Sequence, residues 1–189
     1  RTAADAVSPL RLGETTVGVN DVRKKAMTKR GATALGADGS DGCLAGKTVG
    51  VLGLTFKPNT DDMRDAPSRV LMEALWAAGA NVRAFDPEAM QETQRLYGDD
   101  PRLMLMGTPE STLGGSDALI ICTEWQQFKA PDFDLIHQRL KTPVIFDGRN
   151  LYDGERLARK GFQYYPLGRG ASFQLPIPHQ QLLPQAGEA

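Results

Sequence analysis

Cysteine and histidine are scarce in this 189-residue chain, with two of each. Cys43 and Cys122 make no disulfide framework, and together with His137 and His179 they match no metal-ligand spacing. No nucleophile-elbow sequence is present to support Ser-His-Asp catalysis. No apolar run approaches the ~18 residues of a membrane-spanning helix, and no signal-peptide core stands near Arg1, so a cytoplasmic protein is expected. Neither sign of charge dominates: 22 basic and 23 acidic residues leave a net charge of −1. That gives no electrostatic case for nucleic acid or an anionic membrane. A G-x-G-x-x-G fingerprint is missing as well. The chain starts at Arg1 rather than Met, and the expectation is a portion of something longer.

What is present is ordinary globular material, 41% hydrophobic and 24% charged. The length suits one domain with a modest appendage. Residues 1–30 fit a helix imperfectly, through Leu10, Leu12, Val17 and Val22, and end in the basic cluster Arg23, Lys24, Lys25, Lys29 and Arg30. Cations there complement a helix C-terminus. Residues 31–46 hold five glycines in sixteen and read as a flexible linker. Apolar strands then recur at about 47–55, 81–86, 103–106, 117–122 and 143–147, with a short one near 163–166 and helical segments between. This alternation predicts an α/β domain over 47–169, a mostly parallel sheet of five or six strands with helices on both faces. Residues 170–189 are rich in Pro and Gln, without periodicity, and read as a flexible tail.

The connection after the first strand is the informative one. A strand-to-helix link usually takes 2–6 residues. Gly53 to Asp65 is about twice that, and contains Lys57, Arg64, Asp61, Asp62 and Asp65. Long polar loops at the carboxyl edge of such a sheet bind ligands. With a single glycine at the turn, a phosphate has to meet side-chain cations: Lys57 as a point charge, Arg64 as a planar fork. The competing reading is that both cations only solvate the loop and pair with its aspartates. Asp65 is expected to cap the following helix, and Pro67 to sit in its first turn.

The stretch GLTFKPNTDDMRDAPS (53–68) resembles the opening of the C-terminal domain in the UDP-glucose/GDP-mannose dehydrogenase family, in its UDP-glucose 6-dehydrogenase form. The similarity continues through ANVRAFDP (80–87), SDALIICTEW (116–125) and PVIFDGRNL (143–151), in the family's order and spacing. Upstream, VNDVRKK (19–25) resembles the family's central connecting helix, through which members dimerise. The resemblance implies a Rossmann-like domain that binds a UDP-sugar, preceded by part of that helix. Phe56, Lys57 and Arg149 are then expected to contact substrate, and Arg64 to face NAD held by an N-terminal domain. That upstream domain would also carry the nucleophilic cysteine and the NAD fingerprint, so this chain alone is expected to be inactive. Neither Cys43 nor Cys122 lies in the family's nucleophile motif. GDP-mannose and UDP-N-acetyl-sugar dehydrogenases remain alternatives, as does a free-standing nucleotide-binding module. The intact enzyme is expected to be a homodimer or larger. An arginine at the position of Arg11 reaches a partner's substrate in some members.

Each remaining candidate has a plainer reading. Arg149 could pair only with Asp147 or Asp153. Asp86 stands where a dinucleotide fold puts its ribose-binding acid, but Asp before Pro commonly caps the next helix. Trp125 is read as cover for the sheet end, Cys122 as a buried hydrophobe, and His137 as a half-exposed helix residue.

Overall fold

A computed structural model describes residues 44–167. Segment 1–30 with Arg11, Cys43 and the rest of the linker up to it, the tail and His179 lie outside them. The described chain alternates strands and helices: Thr48–Leu52 (β1), Pro67–Ala77 (α1), Asn81–Phe85 (β2), Met90–Tyr97 (α2), Leu103–Leu105 (β3), Ala118–Ile121 (β4), Phe133–Arg139 (α3), Val144–Asp147 (β5), Gly154–Arg159 (α4) and Gln163–Pro166 (β6). Short 3₁₀ turns at Glu110–Thr112 and Gln126–Phe128 flank β4.

The six strands form one sheet in the order β3-β2-β1-β4-β5-β6, and all five pairings are parallel. This is the doubly wound, Rossmann-like arrangement that the alternation predicts. Chain direction across the sheet reverses between β1 and β4, where Leu52 lies beside Ile121. The loops leaving those two strands therefore part in opposite directions, and a crevice opens at the carboxyl edge.

Central strands are apolar at consecutive positions because both sheet faces are covered. Val49, Val51, Ile120, Val144 and Phe146 point to the α1 side, where Leu71, Met72, Leu75 and Trp76 pack. Leu52, Leu119, Ile121 and Ile145 point to the α3 and α4 side, against Ile136, Leu157 and Phe162. Each such side chain removed from water contributes about 1.5–3 kcal/mol before entropy is counted. Packing reaches back to Leu44, inside the segment read as linker: it is buried and its N–H donates to Ala78 O.

Local chemistry fixes the helix ends. Asp132 caps α3 by accepting from Asp134 N and Leu135 N, both at 3.0 Å. Asp153 caps α4 by accepting from Arg156 N at 2.6 Å. Pro67 opens α1, where no N–H is required. Asp65 does not cap that helix, contrary to expectation. The capping position is Ala66, and Asp65 itself takes a left-handed φ of 55° one residue earlier, in the turn that delivers the chain to Pro67.

Candidate functional site

Gly53 follows β1 with φ of 83°, which glycine alone adopts without strain. A Cβ at this position would lie 2.6 Å from Thr123 Cβ and 2.7 Å from Thr123 N. The loops leaving β1 and β4 thus touch backbone to backbone, and Thr123 Oγ1 fastens them by donating to Thr55 O at 2.6 Å. The strand expected to run to residue 55 stops at Leu52 because of this turn.

Asp86 holds the turn from below. Its Oδ2 accepts from Leu54 N at 2.7 Å, Thr55 N at 3.2 Å, Thr55 Oγ1 at 3.3 Å and Trp125 Nε1 at 3.1 Å. Its Oδ1 accepts from Glu88 N and Ala89 N at 2.9 and 3.0 Å. The side chain is fully buried. In a dinucleotide fold, amides of the first crossover face a pyrophosphate and the acid ending the second strand faces a ribose. Here the acid points inward and takes two of those amides for itself. The expected capping by Asp86 is met only in part: it bonds two N–H groups ahead of α2, whose capping residue is Ala89. Trp125 covers the sheet end as expected, buried, with its indole N–H directed to Asp86.

Phe56 and Lys57 come next, and both are exposed, Phe56 by 47%. Phe56 N donates to Asp62 O at 2.9 Å, closing the loop tip into a compact turn. Arg149 arrives from the other half of the sheet. Its N–H donates to Asp147 Oδ1 at 2.9 Å, its Nε to Cys122 O at 2.7 Å and its Nη2 to Phe56 O at 3.1 Å. Glu124 Oε2 lies 2.8 Å from the same Nε. That nitrogen has one hydrogen, already directed at Cys122 O, so Glu124 makes a charge contact without a donor. The guanidinium therefore pairs with Glu124 rather than with Asp147 or Asp153.

Phe56, Lys57 and Arg149 stand together at one edge, as the sequence reading required. Arg64 makes no contact with Arg149; it pairs with Asp62, the same carboxylate on which the Lys57 charge also acts. The Arg64 side chain is 88% exposed and forked by Asp62, with Nε to Oδ1 at 3.0 Å and Nη2 to Oδ2 at 2.9 Å. The pairing holds the Asp62 carboxyl down at about 2. Cys122 is buried among apolar groups, which pushes its thiol up to about 12. A thiol so protonated is not a nucleophile near neutral pH. His137 is exposed, its ring edge against Phe162 at 5.2 Å between centroids.

Sequence reasoning passed over Glu124, although the T-E-W motif displays it, because only Trp125 was weighed there. It also missed Thr123 and the inward role of Asp86. For Thr123 the available signal was a polar side chain directly after an all-apolar strand; the strand before Asp86 holds Asn81 and Arg83 and gave no such signal. A cleft of about 500 Å³ opens at the same edge between the Gly107–Glu110 and Gln127–Ile136 segments, lined by Leu52, Phe85, Leu113, Phe128 and Tyr152 among others. None of the four predicted site residues lines it, and it contains no Lys or Arg. Arg149 and Lys57, the cations of this edge, stand outside that cleft.

Residues 50–154 match the sequence model of the UDP-glucose/GDP-mannose dehydrogenase family, UDP binding domain. The chain is 44% identical over 169 residues to the UDP-glucose 6-dehydrogenase of Rhizobium meliloti, covering 89% of this chain and 37% of that protein. It is 47% identical over 127 residues to that of Pseudomonas aeruginosa, covering 66% and 28%. Among solved structures, a UDP-glucose dehydrogenase from Pyrobaculum islandicum superposes with a TM-score of 0.58 at 29% identity, over 78% of this chain and 29% of that one. The chain thus spans about a third of the length of these relatives. With a match extending over more than half its residues, the chain belongs to the UDP-glucose/GDP-mannose dehydrogenase family and carries that family's UDP binding domain.

Proposed function

We propose that this domain binds the diphosphate of UDP-glucose at the carboxyl edge of its sheet, as the C-terminal part of an NAD-dependent UDP-glucose 6-dehydrogenase that forms UDP-glucuronate. The observation that carries the reading is the hydrogen bond from Arg149 Nη2 to Phe56 O. It brings residues 93 positions apart to one crevice beside the exposed Lys57. A UDP-sugar pyrophosphate carries about two negative charges, which a point cation and a planar fork can share. With the guanidinium anchored through Nε and Nη2, little rotamer freedom remains to be lost when an anion arrives. Phe56 offers its ring to the sugar side.

NAD, when bound to the enzyme, supplies the hydride acceptor. The first crossover of this domain does not fit a dinucleotide, because Asp86 occupies the Leu54 and Thr55 amides and only one glycine stands at the turn. Arg64, exposed and at the far end of the loop in sequence from Lys57, is the residue offered to NAD held elsewhere. In the same reading the intact enzyme is a homodimer or larger, works in the cytoplasm, and needs groups outside this chain for its chemistry.

Calorimetric titration of the intact dehydrogenase with UDP-glucose, and separately with NAD, tests the assignment. Lys57→Ala and Arg149→Ala are each expected to weaken UDP-glucose by about ten- to a hundredfold, the cost of one charge-assisted contact, with little change for NAD. Parent-like UDP-glucose binding in both variants would remove the site from this edge.

A further inference from the structure

Arg149 is held by three oxygens of unequal quality. Cys122 O and Phe56 O accept true hydrogen bonds, at 2.7 and 3.1 Å. Glu124 Oε2, at 2.8 Å from Nε, is buried and receives no hydrogen. A carboxylate oxygen taken out of water without a donor keeps its desolvation cost, which only the neighbouring charge offsets. The rest of the pair is open: the Arg149 and Glu124 side chains are 30% and 38% exposed. An anion can therefore reach the guanidinium while Glu124 is still beside it.

We propose that Glu124 is the intramolecular counter-ion of Arg149, an anion against which an incoming diphosphate must compete, and that it sets how readily the site releases its ligand. The inference rests on the diphosphate site proposed above. Orientation of the guanidinium does not need Glu124, since two carbonyls and the Asp147-bound backbone already fix it. What Glu124 adds is one negative charge within a few ångströms of where two more would arrive. Like charges at such separations repel by an energy that partial solvent exposure reduces and does not abolish. Glu124 thus loosens binding, and its removal should tighten it. An orienting residue would behave in the opposite way, which makes the sign of the effect diagnostic.

The test is an NMR-detected titration of the 189-residue chain with UDP, following the amides of Phe56, Lys57 and Arg149 and the Arg149 Nε–H signal. In Glu124→Gln the Nε–H signal is expected to persist, because its acceptor Cys122 O remains. UDP affinity is expected to rise about fivefold at low salt and by less than about twofold at 0.5 M salt, where exposed charges are screened. Glu124→Asp, which keeps the charge, should stay within about twofold of the parent. Unchanged or weaker UDP binding in Glu124→Gln, or loss of the Nε–H signal with weaker binding, would overturn the counter-ion role while leaving the diphosphate site standing. A parent chain whose three amides ignore millimolar UDP would instead overturn the site itself, and this inference with it.

Discussion

Asp86, just after β2, and Asp147, the last residue of β5, are both fully buried carboxylates at the carboxyl edge, one in each half of the sheet. Asp86 reaches across to the neighbouring strand's loop and fixes Leu54 and Thr55, immediately before Phe56 and Lys57. Asp147 holds its own loop, accepting from Arg149 N at 2.9 Å and Leu151 N at 2.7 Å, and takes a third donor, Tyr164 Oη at 2.8 Å, from the neighbouring β6. Each half therefore pins the loop that presents its cation by giving a buried acid several N–H donors, which is what makes burial of such an acid tolerable. The difference lies in what each acid replaces. Asp86 sits on amides that a nucleotide phosphate would use in the dinucleotide-binding version of this sheet, so that in the proposed site the anion is left to side chains. Asp147 replaces nothing: it aims Arg149, holds Leu151 and ties the loop to β6 through Tyr164.

The comparison is broken most severely by removing one acid's charge. Asp86 has six donors around its two oxygens and Asp147 has three. An asparagine amide necessarily points NH₂ hydrogens at some of these donors. Asp86→Asn is expected to cost about 3 kcal/mol of stability, and Asp147→Asn about 2, because the Tyr164 hydroxyl can rotate and become an acceptor. Urea unfolding of the two variants of this chain measures the gap. Equal losses would mean that the cross-strand role of Asp86 carries no extra weight.

A sharper comparison uses the glycines that let the loops approach. A Cβ at Gly53 would lie 2.6 Å from Thr123 Cβ, and one at Gly148 would lie 2.7 Å from Ile121 O. Only Gly53 combines that crowding with a left-handed φ. Gly53→Ala is therefore expected to cost about 3 kcal/mol and Gly148→Ala about 2, the former adding backbone strain to overpacking. The same unfolding measurement decides, and a larger loss at Gly148 would reverse the ranking of the two crossovers.

Much of this was legible in the sequence for identifiable reasons. Strand positions followed from consecutive apolar residues, since a sheet covered on both faces leaves little polar alternation in its centre. The crevice followed from a crossover too long and too charged to be a simple connection. Convergence of Arg149 with Lys57 followed because, in a parallel sheet, every strand delivers its following loop to one edge. What escaped was the direction of side chains at strand ends. Asp86 could point outward to a ribose or inward to amides, and the spacing of residues is identical in both cases. Asp65 looked like a helix cap because Asp precedes Pro by two residues. Asp65 instead takes a left-handed turn that leaves the cap to Ala66, with Met63 and Ala66 both in the core, and local sequence does not specify that turn.

The smallest effect is expected at the far end of the first loop, at the exposed Arg64–Asp62 fork. Arg64 lowers the Asp62 carboxyl chiefly through the side-chain hydrogen bonds, then through the backbone N–H of residue 64, then by charge. A carboxyl depressed in the folded state contributes stability above its unfolded value, and loses that contribution as pH falls through its folded value of about 2. In Arg64→Ala the N–H at position 64 remains, so the carboxyl should rise only part of the way back to the ordinary aspartate range. Carbon-detected NMR titration of Asp62 reads that rise directly. Thermal unfolding of parent and variant should differ slightly at neutral pH and converge in acid, as the window of the lost contribution is crossed. UDP-glucose binding to the intact enzyme should be unchanged, because Arg64 shares no hydrogen-bond partner with Lys57 or Arg149. If Arg64→Ala instead weakens UDP-glucose as much as Arg149→Ala does, the division of the loop into a substrate-facing start and an outward-facing end fails.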